Sequence, residues 1–497
     1  MAEAVDVVVI GAGFSGLCMG IELKRSGRDD FVILEKAADL GGTWRDNTYP
    51  GCACDVPSYL YSFSFEPNPR WSRTFSPQQE IWDYLRHCAE AYGLSSHLRF
   101  GSEVTGARFD EACSRWRVEV NGCDEVESRV LVAGVGALHH PHIPDLPGLS
   151  AFEGTTFHSS RWRHDHDLDG RDVAVIGTGA SAIQFVPRIA PRVHQLDLYQ
   201  RTPAWVTPKP DPAIGEERQR LYASRPALQR GIRDLVYVAL EARGAGFTLT
   251  PKAMRMLEKQ ARAHLARQVG DSELRAKLTP EYQIGCKRIL LSDDFYPSLS
   301  RDNVDLVTDP IGEVTPTGIR TADGTVRDVD TIIFGSGFDV SANLTRLALV
   351  GRGEASLEDA WRRDGIGAHL GITVAGFPNL FLMLGPNTGL GHSSVVFMIE
   401  AQARYVVQAL DLLDGVGAST IEVRRDVQRR FVDRIQTRLA GTVWQSGCRS
   451  WYLDESGRNF TIWPHFTWTY WWQTRRLSRQ DFLLGLPQAD AMKPSRS

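Results

Sequence analysis

Two glycine-rich loops of one kind punctuate the chain, each placed where a strand hands over to a helix. Val5 to Ile10 is an apolar run followed by Gly11-Ala12-Gly13-Phe14-Ser15-Gly16. About 166 residues later, Asp172 to Ile176 is a second such run, followed by Gly177-Thr178-Gly179-Ala180-Ser181-Ala182. A helical stretch and another strand come after each loop: Phe31 to Glu35 in the first unit, Gln195 to Gln200 in the second. A lone GxGxx[GA] match is weak; a strand before it and a helix after it give it meaning. The first glycine permits the tight turn, the second lets backbone approach a pyrophosphate, and the third lets helix and strand pack closely. The helix N-terminus then turns free N–H groups toward the phosphates. The pattern predicts an α/β chain with two Rossmann-like dinucleotide-binding domains.

The charge at the end of the second strand distinguishes the two units. Glu35 lies 24 positions after Gly11, where a carboxylate accepts hydrogen bonds from ribose hydroxyls. Arg201 lies 24 positions after Gly177, at the same spacing with the opposite charge. A carboxylate there repels a 2′-phosphate, whereas a guanidinium pairs with it. The first loop, Gly11, Gly13, Phe14, Ser15 and Gly16 with Glu35, is therefore expected to hold FAD, and the second to hold NADP(H). Two such sites in one chain describe an electron path, from nicotinamide to flavin to an acceptor.

Composition narrows the rest. The 497 residues suggest roughly three domains of ordinary size. Lys plus Arg number 56 against 60 Asp plus Glu, a net charge of -4, which excludes a strongly basic nucleic-acid surface as the main business. No run of about 18 apolar residues exists, so no transmembrane segment is expected. The most apolar stretch, from Gly365 to Gly385, is interrupted by His369, Pro378 and Asn379. The N-terminus enters the first strand with no basic segment or cleavage site, so no signal peptide is expected. The eight cysteines show spacing for neither a zinc site nor a disulfide framework, and no metal is expected. Cys52 and Cys54 read more simply as thiols of a buried loop than as a redox pair. A reducing, cytoplasmic setting fits.

Between Pro208 and Tyr282 the character turns helical, with Glu216–Ala223 and Ala253–Arg267 rich in Arg, Glu, Ala and Leu. Asn303 to Phe338 returns to strands. Ser76-Pro77-Gln78-Gln79 has the form of a capping box, opening a helix that stops near Gly93. From Ala401 helical periodicity dominates, and an aromatic tail begins at Trp463. Packing against the flavin domain is the simpler reading of that tail; contact with a membrane surface is the other.

The acceptor is the remaining question. Disulfide reductases put a cysteine pair in the loop that here runs from Gly41 to Gly51, and this loop has none. Molecular oxygen is the expected acceptor. At this point the sequence resembles the flavin-dependent Baeyer–Villiger monooxygenases. Their linker fingerprint, FxGxxxHxxxW followed by Pro or Asp, is met by Phe152, Gly154, His158 and Trp162, with Arg163 at the last position. A second motif, GGxWxxxxYPGxxxD, is met in full by Gly41, Gly42, Trp44, Tyr49, Pro50, Gly51 and Asp55. The likeness continues through Lys287-Arg288, Gly335-Ser336-Gly337-Phe338 and Gly385-Pro386-Asn387.

The resemblance implies an NADPH- and oxygen-dependent conversion of ketones to esters or lactones through a C4a-peroxyflavin. It implies Arg288 as the catalytic arginine and Asp55 as its carboxylate partner, a cation where peroxide and oxyanion develop. It implies Lys287 and Thr202 beside Arg201 at the 2′-phosphate, and Thr178, Gly179, Ala180, Ser181, Ala182 and Gln184 along the NADP pyrophosphate. Thr43, Trp44, Asp46, Tyr61 and Val104 match flavin-lining positions, and Trp451 a residue near the nicotinamide. His158 is either a coupling residue between domains or a structural histidine. Ser393-Ser394 either caps a helix aimed at the flavin or is an ordinary cap. The implied division is an FAD domain of residues 1–142 and 340–497, and an NADP domain of 143–339 with a helical insertion over about 208–283. The nearest alternative is an N- or S-hydroxylating flavin monooxygenase, which usually has Tyr or Phe in place of Trp162. A two-nucleotide redox sensor is the rival from another class, and it has no use for an oxyanion stabiliser. The partners implied are a small ketone and O2; neither the ketone nor the oligomeric state is legible.

Overall fold

The computed structural model describes residues 3–248, 254–340, 346–448 and 450–486. Its first unit is built on strand β1 (Glu3–Ile10), whose last four residues are all buried, as in a parallel strand covered on both faces. Helix α1 (Phe14–Arg25) crosses from β1 to β2 (Phe31–Leu34), which pairs parallel with β1. The strand Asp124–Ala133 pairs parallel on the other side of β1. Two later strands join the same sheet: Ala348–Val350 beside Val104–Asp110, and Leu380–Leu382 beside Asp124–Ala133.

The second sheet has five strands, all parallel: Val304–Val307, Gln195–Tyr199, Asp172–Ile176, Thr331–Phe334 and Thr155–His158. We label Asp172–Ile176 β3, the following helix Ala182–Ile189 α2, and Gln195–Tyr199 β4. Every strand of this sheet lies in sequence between the two groups of strands that form the first sheet. The architecture is α/β with two units, the first on a mostly parallel sheet that carries an antiparallel meander and the second on an all-parallel sheet, as expected from the twin loops.

Helices fill the stretch between the second unit's strands. They are Glu216–Ser224, α3 (Pro226–Thr248), Met254–Gln268 and Ser272–Lys277. Arg233 of α3 donates to the Tyr59 carbonyl at 2.7 Å and the Ser62 carbonyl at 3.0 Å, so the insertion leans on the first unit. Helix α4 (Val395–Val416) packs along α1. Its N-cap is Ser394, whose hydroxyl accepts from the Val396 N–H, as the cap reading of Ser393-Ser394 required. The aromatic tail divides in α5 (Thr467–Thr474): Trp463 and Tyr470 are buried, whereas Trp468, Trp471 and Trp472 are exposed. Among the described residues no helix is long and apolar enough to cross a membrane.

Two expectations are corrected. The helix Gln78–Ala91 has Pro77 at its N-cap and no capping box. The Ser76 hydroxyl is 2.5 Å from that of buried Ser58, and Gln79 reaches Asp83 instead of turning back. A buried hydroxyl needing a partner has outcompeted the cap. The second correction is a disulfide between Cys286 and Cys448, 162 residues apart. It ties the segment before Arg288 to a loop of the C-terminal part. Such a link removes up to about 5 kcal/mol of unfolded-chain entropy in the ideal case. Under non-reducing conditions Cys448→Ala is expected to melt on the order of 5 °C below the wild type. Calorimetry checks this, and dithiothreitol should abolish the difference.

Candidate active site

The first glycine loop is held open by backbone. Gly11 has φ +91°, and a Cβ there would stand 2.8 Å from the Gly134 carbonyl oxygen. A Cβ on Gly16 would sit 1.8 Å from the Gly11 oxygen, so helix and turn touch as the third glycine of the motif requires. Beside Gly13 the nearest atom to an added Cβ is the Gly42 Cα at 3.7 Å. Two bare backbones thus face a common slot at the N-terminus of α1, a shape that fits a pyrophosphate.

Glu35 directly follows β2. Its carboxylate accepts from Ala12 N at 2.9 Å, Ala37 N at 3.0 Å and the Arg45 guanidinium at 3.0 Å. Arg45 was not predicted; it also donates to Asp39 and to Asp46, so Asp46 is fixed from behind. Its only signal was its place inside the GGxW motif. Thr43 opens the short helix Thr43–Asp46. The Trp44 indole donates to the Tyr61 hydroxyl at 3.1 Å, and the Phe14 ring meets Tyr61 edge-on at 5.2 Å. Ser15 is buried next to Phe14 in sequence. Val104 stands apart: its side chain joins Phe109 and Trp116 in a different core.

The second loop repeats the first. Gly177 has φ +110°, and a Cβ would come within 2.5 Å of the Gly335 oxygen. Ala182 replaces the third glycine, is buried, and packs on Gly335. Gly179 and Ala180 are exposed, Ser181 forms no side-chain cap, and the Thr178 hydroxyl donates to the Thr202 carbonyl at 3.4 Å. Gln184 differs from expectation. Its amide oxygen accepts from the Tyr49 hydroxyl at 3.0 Å, and its amide nitrogen donates to the Ala53 carbonyl at 3.0 Å. Gln184 therefore clamps the two units together instead of facing the loop.

Two cations converge beside the second loop. Arg201 is exposed and forms no hydrogen bond or ion pair among the described residues. The Lys287 ammonium lies 4.9 Å from the Tyr282 ring centre. Burial and then the charge of Arg201 push the Lys287 pKa down. Like charges held together with no carboxylate between them make a ready anion site.

Where the units meet, Asp55 and Arg288 form a bidentate pair. Arg288 Nε donates to Oδ2 at 2.7 Å and Nη2 to Oδ1 at 2.6 Å, and Nη1 has no hydrogen-bond partner among the described residues. The side chains are 38% and 25% exposed, so the pair is reachable from solvent. Burial alone would raise the Asp55 carboxyl, but the Arg288 charge and hydrogen bonds outweigh it and hold it below the usual carboxylate range. The Asp55 charge in turn raises the Arg288 pKa against the opposing effect of burial. Tyr452, a residue the sequence did not single out, is buried within electrostatic reach of both. Burial pushes its phenol up to about 12, with Arg288 opposing. Trp451 is exposed and tilts against Tyr452 at 4.5 Å. Cys52 and Cys54 are free and buried, and burial pushes Cys52 up to about 12 and Cys54 further. They remain protonated thiols, as the simpler reading had it.

The linker fingerprint is structural in its contacts. Burial lowers the His158 pKa to about 4, so the ring is neutral, and its Nδ1 accepts from the Ser160 N–H at 3.1 Å. Trp162 lies against Phe157 and Phe185 at 5.2 and 5.3 Å. Arg163 forms an exposed bidentate pair with Asp165.

Comparison with known proteins identifies the family. Residues 4–214 match the family described as "FMO-like: Flavin-binding monooxygenase-like". The chain is 48% identical over 481 residues to a Baeyer–Villiger monooxygenase of Pseudomonas aeruginosa, covering 96% of this chain and 90% of that one. It is 47% identical to a Baeyer–Villiger monooxygenase of Streptomyces coelicolor, with 97% and 92% coverage. Among solved structures, cyclohexanone monooxygenase from Rhodococcus sp. Phi1 bound to NADP+ superposes with a TM-score of 0.89 at 27% identity, over 98% of this chain and all of that one. A structure of OTEMO with FAD and NADP gives 0.89 at 28%, with the same coverage. The chain is a member of the Baeyer–Villiger monooxygenases. Like them it is an FAD-containing, NADPH-dependent monooxygenase.

Proposed function

We propose that this chain uses NADPH and O2 to insert one oxygen atom beside a ketone carbonyl, releasing an ester or lactone, NADP+ and water. The observation that carries the reading is the Asp55–Arg288 pair set between two dinucleotide loops. FAD, when bound and reduced by NADPH, supplies the electrons that activate oxygen. The residues do the rest. Gly11 to Gly16 and Glu35 hold the flavin's adenosine diphosphate half; Phe14, Thr43, Trp44, Asp46 and Tyr61 wall it. Thr178 to Ala182 take the NADP pyrophosphate, and Arg201, Thr202 and Lys287 its 2′-phosphate. Arg288 stays charged, and its free Nη1 is available to the oxygen on which negative charge develops. Asp55 fixes the plane of that guanidinium. The FAD unit comprises residues 1–142 and 340–497 and the NADP unit 143–339.

The test is a panel of ketones, a thioether and an amine incubated with NADPH and air. Products one oxygen heavier from the ketones support the reading; oxygenation of the amine and thioether alone overturns it in favour of heteroatom hydroxylation. Cofactor choice is a second test. A charge-assisted contact is worth about 1.5–3 kcal/mol. Arg201 is exposed, so the two cations together are expected to give at least about tenfold preference for NADPH over NADH. Arg201→Ala should raise the KM for NADPH and leave NADH use unchanged. Equal use of both cofactors by the wild type would refute the phosphate site.

A further inference from the structure

We propose that the exposed face of α5 is a docking surface for an anionic lipid bilayer. Helix α5 is inverted relative to an ordinary surface helix. Thr467, Tyr470 and Thr474 are its buried residues. Trp468, Trp471 and Trp472, at the i, i+3 and i+4 positions of one face, are 54%, 42% and 58% exposed. Packing against the body normally sends the apolar face inward. Here the inward face is satisfied by polar bonds: the Thr467 N–H donates to Glu241 at 2.9 Å and its hydroxyl to the same carboxylate at 2.7 Å. The Tyr470 hydroxyl donates to the Leu370 carbonyl at 2.6 Å. The indoles are thus held outward by a fixed frame.

The same bonds bring α5 onto α3, where Leu235 and Val238 are 71% and 62% exposed. Exposed apolar side chains thus occur on both of the joined helices, and exposed apolar patches mark interaction sites.

Charge selects the occupant. Arg475 continues the indole face at i+7, its guanidinium 5.4 Å from the Trp472 ring and 5.9 Å from that of Trp471. Arg476 and Arg479 come next, both exposed, and none of the three forms an ion pair among the described residues. A protein interface surrounds its apolar centre with a polar rim of mixed character. This surface has indoles at the centre and guanidinium groups at one edge. Indoles settle at the headgroup level of a bilayer, and arginines add attraction to anionic lipids.

The experiment is sedimentation of the FAD-loaded full chain with vesicles of pure phosphatidylcholine or of phosphatidylcholine with phosphatidylglycerol. Wild type is expected to bind the anionic vesicles on the order of tenfold better, with binding falling as salt rises. The triple variant Trp468→Ser, Trp471→Ser, Trp472→Ser should lose binding to both. The double variant Arg475→Glu, Arg476→Glu should lose only the preference for phosphatidylglycerol. Both should oxidise a water-soluble ketone at the wild-type rate, which controls for folding; should the triple variant not fold, the arginine double variant carries the test. No binding of wild type to anionic vesicles overturns the proposal, as does equal binding by the arginine variant. A stable dimer in analytical ultracentrifugation that the Trp variant turns into monomers also overturns it, because a second copy then covers the face.

Discussion

Arg288→Ala is expected to consume NADPH and oxygen yet form almost no ester. Hydride transfer to flavin needs the nicotinamide aligned but no cation for an oxyanion. Oxygen insertion does need one, and losing a fixed donor of this kind costs about 2.7–4 kcal/mol, or about a hundred- to a thousand-fold, in the step where charge develops. The oxygen consumed should appear as hydrogen peroxide. Asp55→Ala should fail in the same direction but less completely. Arg288 keeps its charge there and loses the two bonds that fix its plane. The measurement is ester and peroxide formed per NADPH, for wild type and both variants. Wild-type coupling in Arg288→Ala would mean that another group stabilises the oxyanion.

Gly16→Val is expected to yield a colourless protein that added FAD cannot restore. The Cβ alone would lie 1.8 Å from the Gly11 oxygen, a backbone atom that no rotamer change can move. The turn must open, and with it the slot between Gly13 and Gly42. Gly13→Val tests the slot without that collision. The protein leaves the Gly13 Cβ position open to within 3.7 Å, so this variant should fold normally and still fail to retain flavin. Flavin absorbance after desalting, with circular dichroism as the folding control, separates the two. A yellow Gly13→Val protein would show that the pyrophosphate lies elsewhere.

Both loops were legible because each obeys a strict local rule; the Asp55–Arg288 pair, 233 residues apart, was legible only through the family motifs that carry the two residues. A glycine forced by a 2.5 Å or 2.8 Å backbone approach can only be a glycine. The charge after the second strand is read by position alone. The features that escaped were set by the tertiary structure. Arg45 gains its partners only when β2 and the GGxW loop come together. Cys286 and Cys448 lie too far apart in sequence for spacing to pair them. The hydroxyl of Ser76 looked like a cap until Ser58 was placed against it. Gln184 belongs to a loop motif by sequence and to the seam between units by contact. Tyr452 was hidden beside Trp451, the residue that the family resemblance marks, because only the fold buries its phenol near Arg288 and Asp55.

The Cys286–Cys448 bond has a kinematic consequence. A closed disulfide keeps its two Cα atoms within about 7 Å, and here they are 6.2 Å apart. Lys287 and Arg288 leave one end of this pin, and Trp451 and Tyr452 lie three and four residues beyond the other. The pin leaves these residues free to rotate about it but not to slide apart. Asp55 is outside the tether. The bond therefore keeps the segment that carries Arg288 beside the loop that carries Trp451 and Tyr452, whereas Asp55 is held to Arg288 by hydrogen bonds.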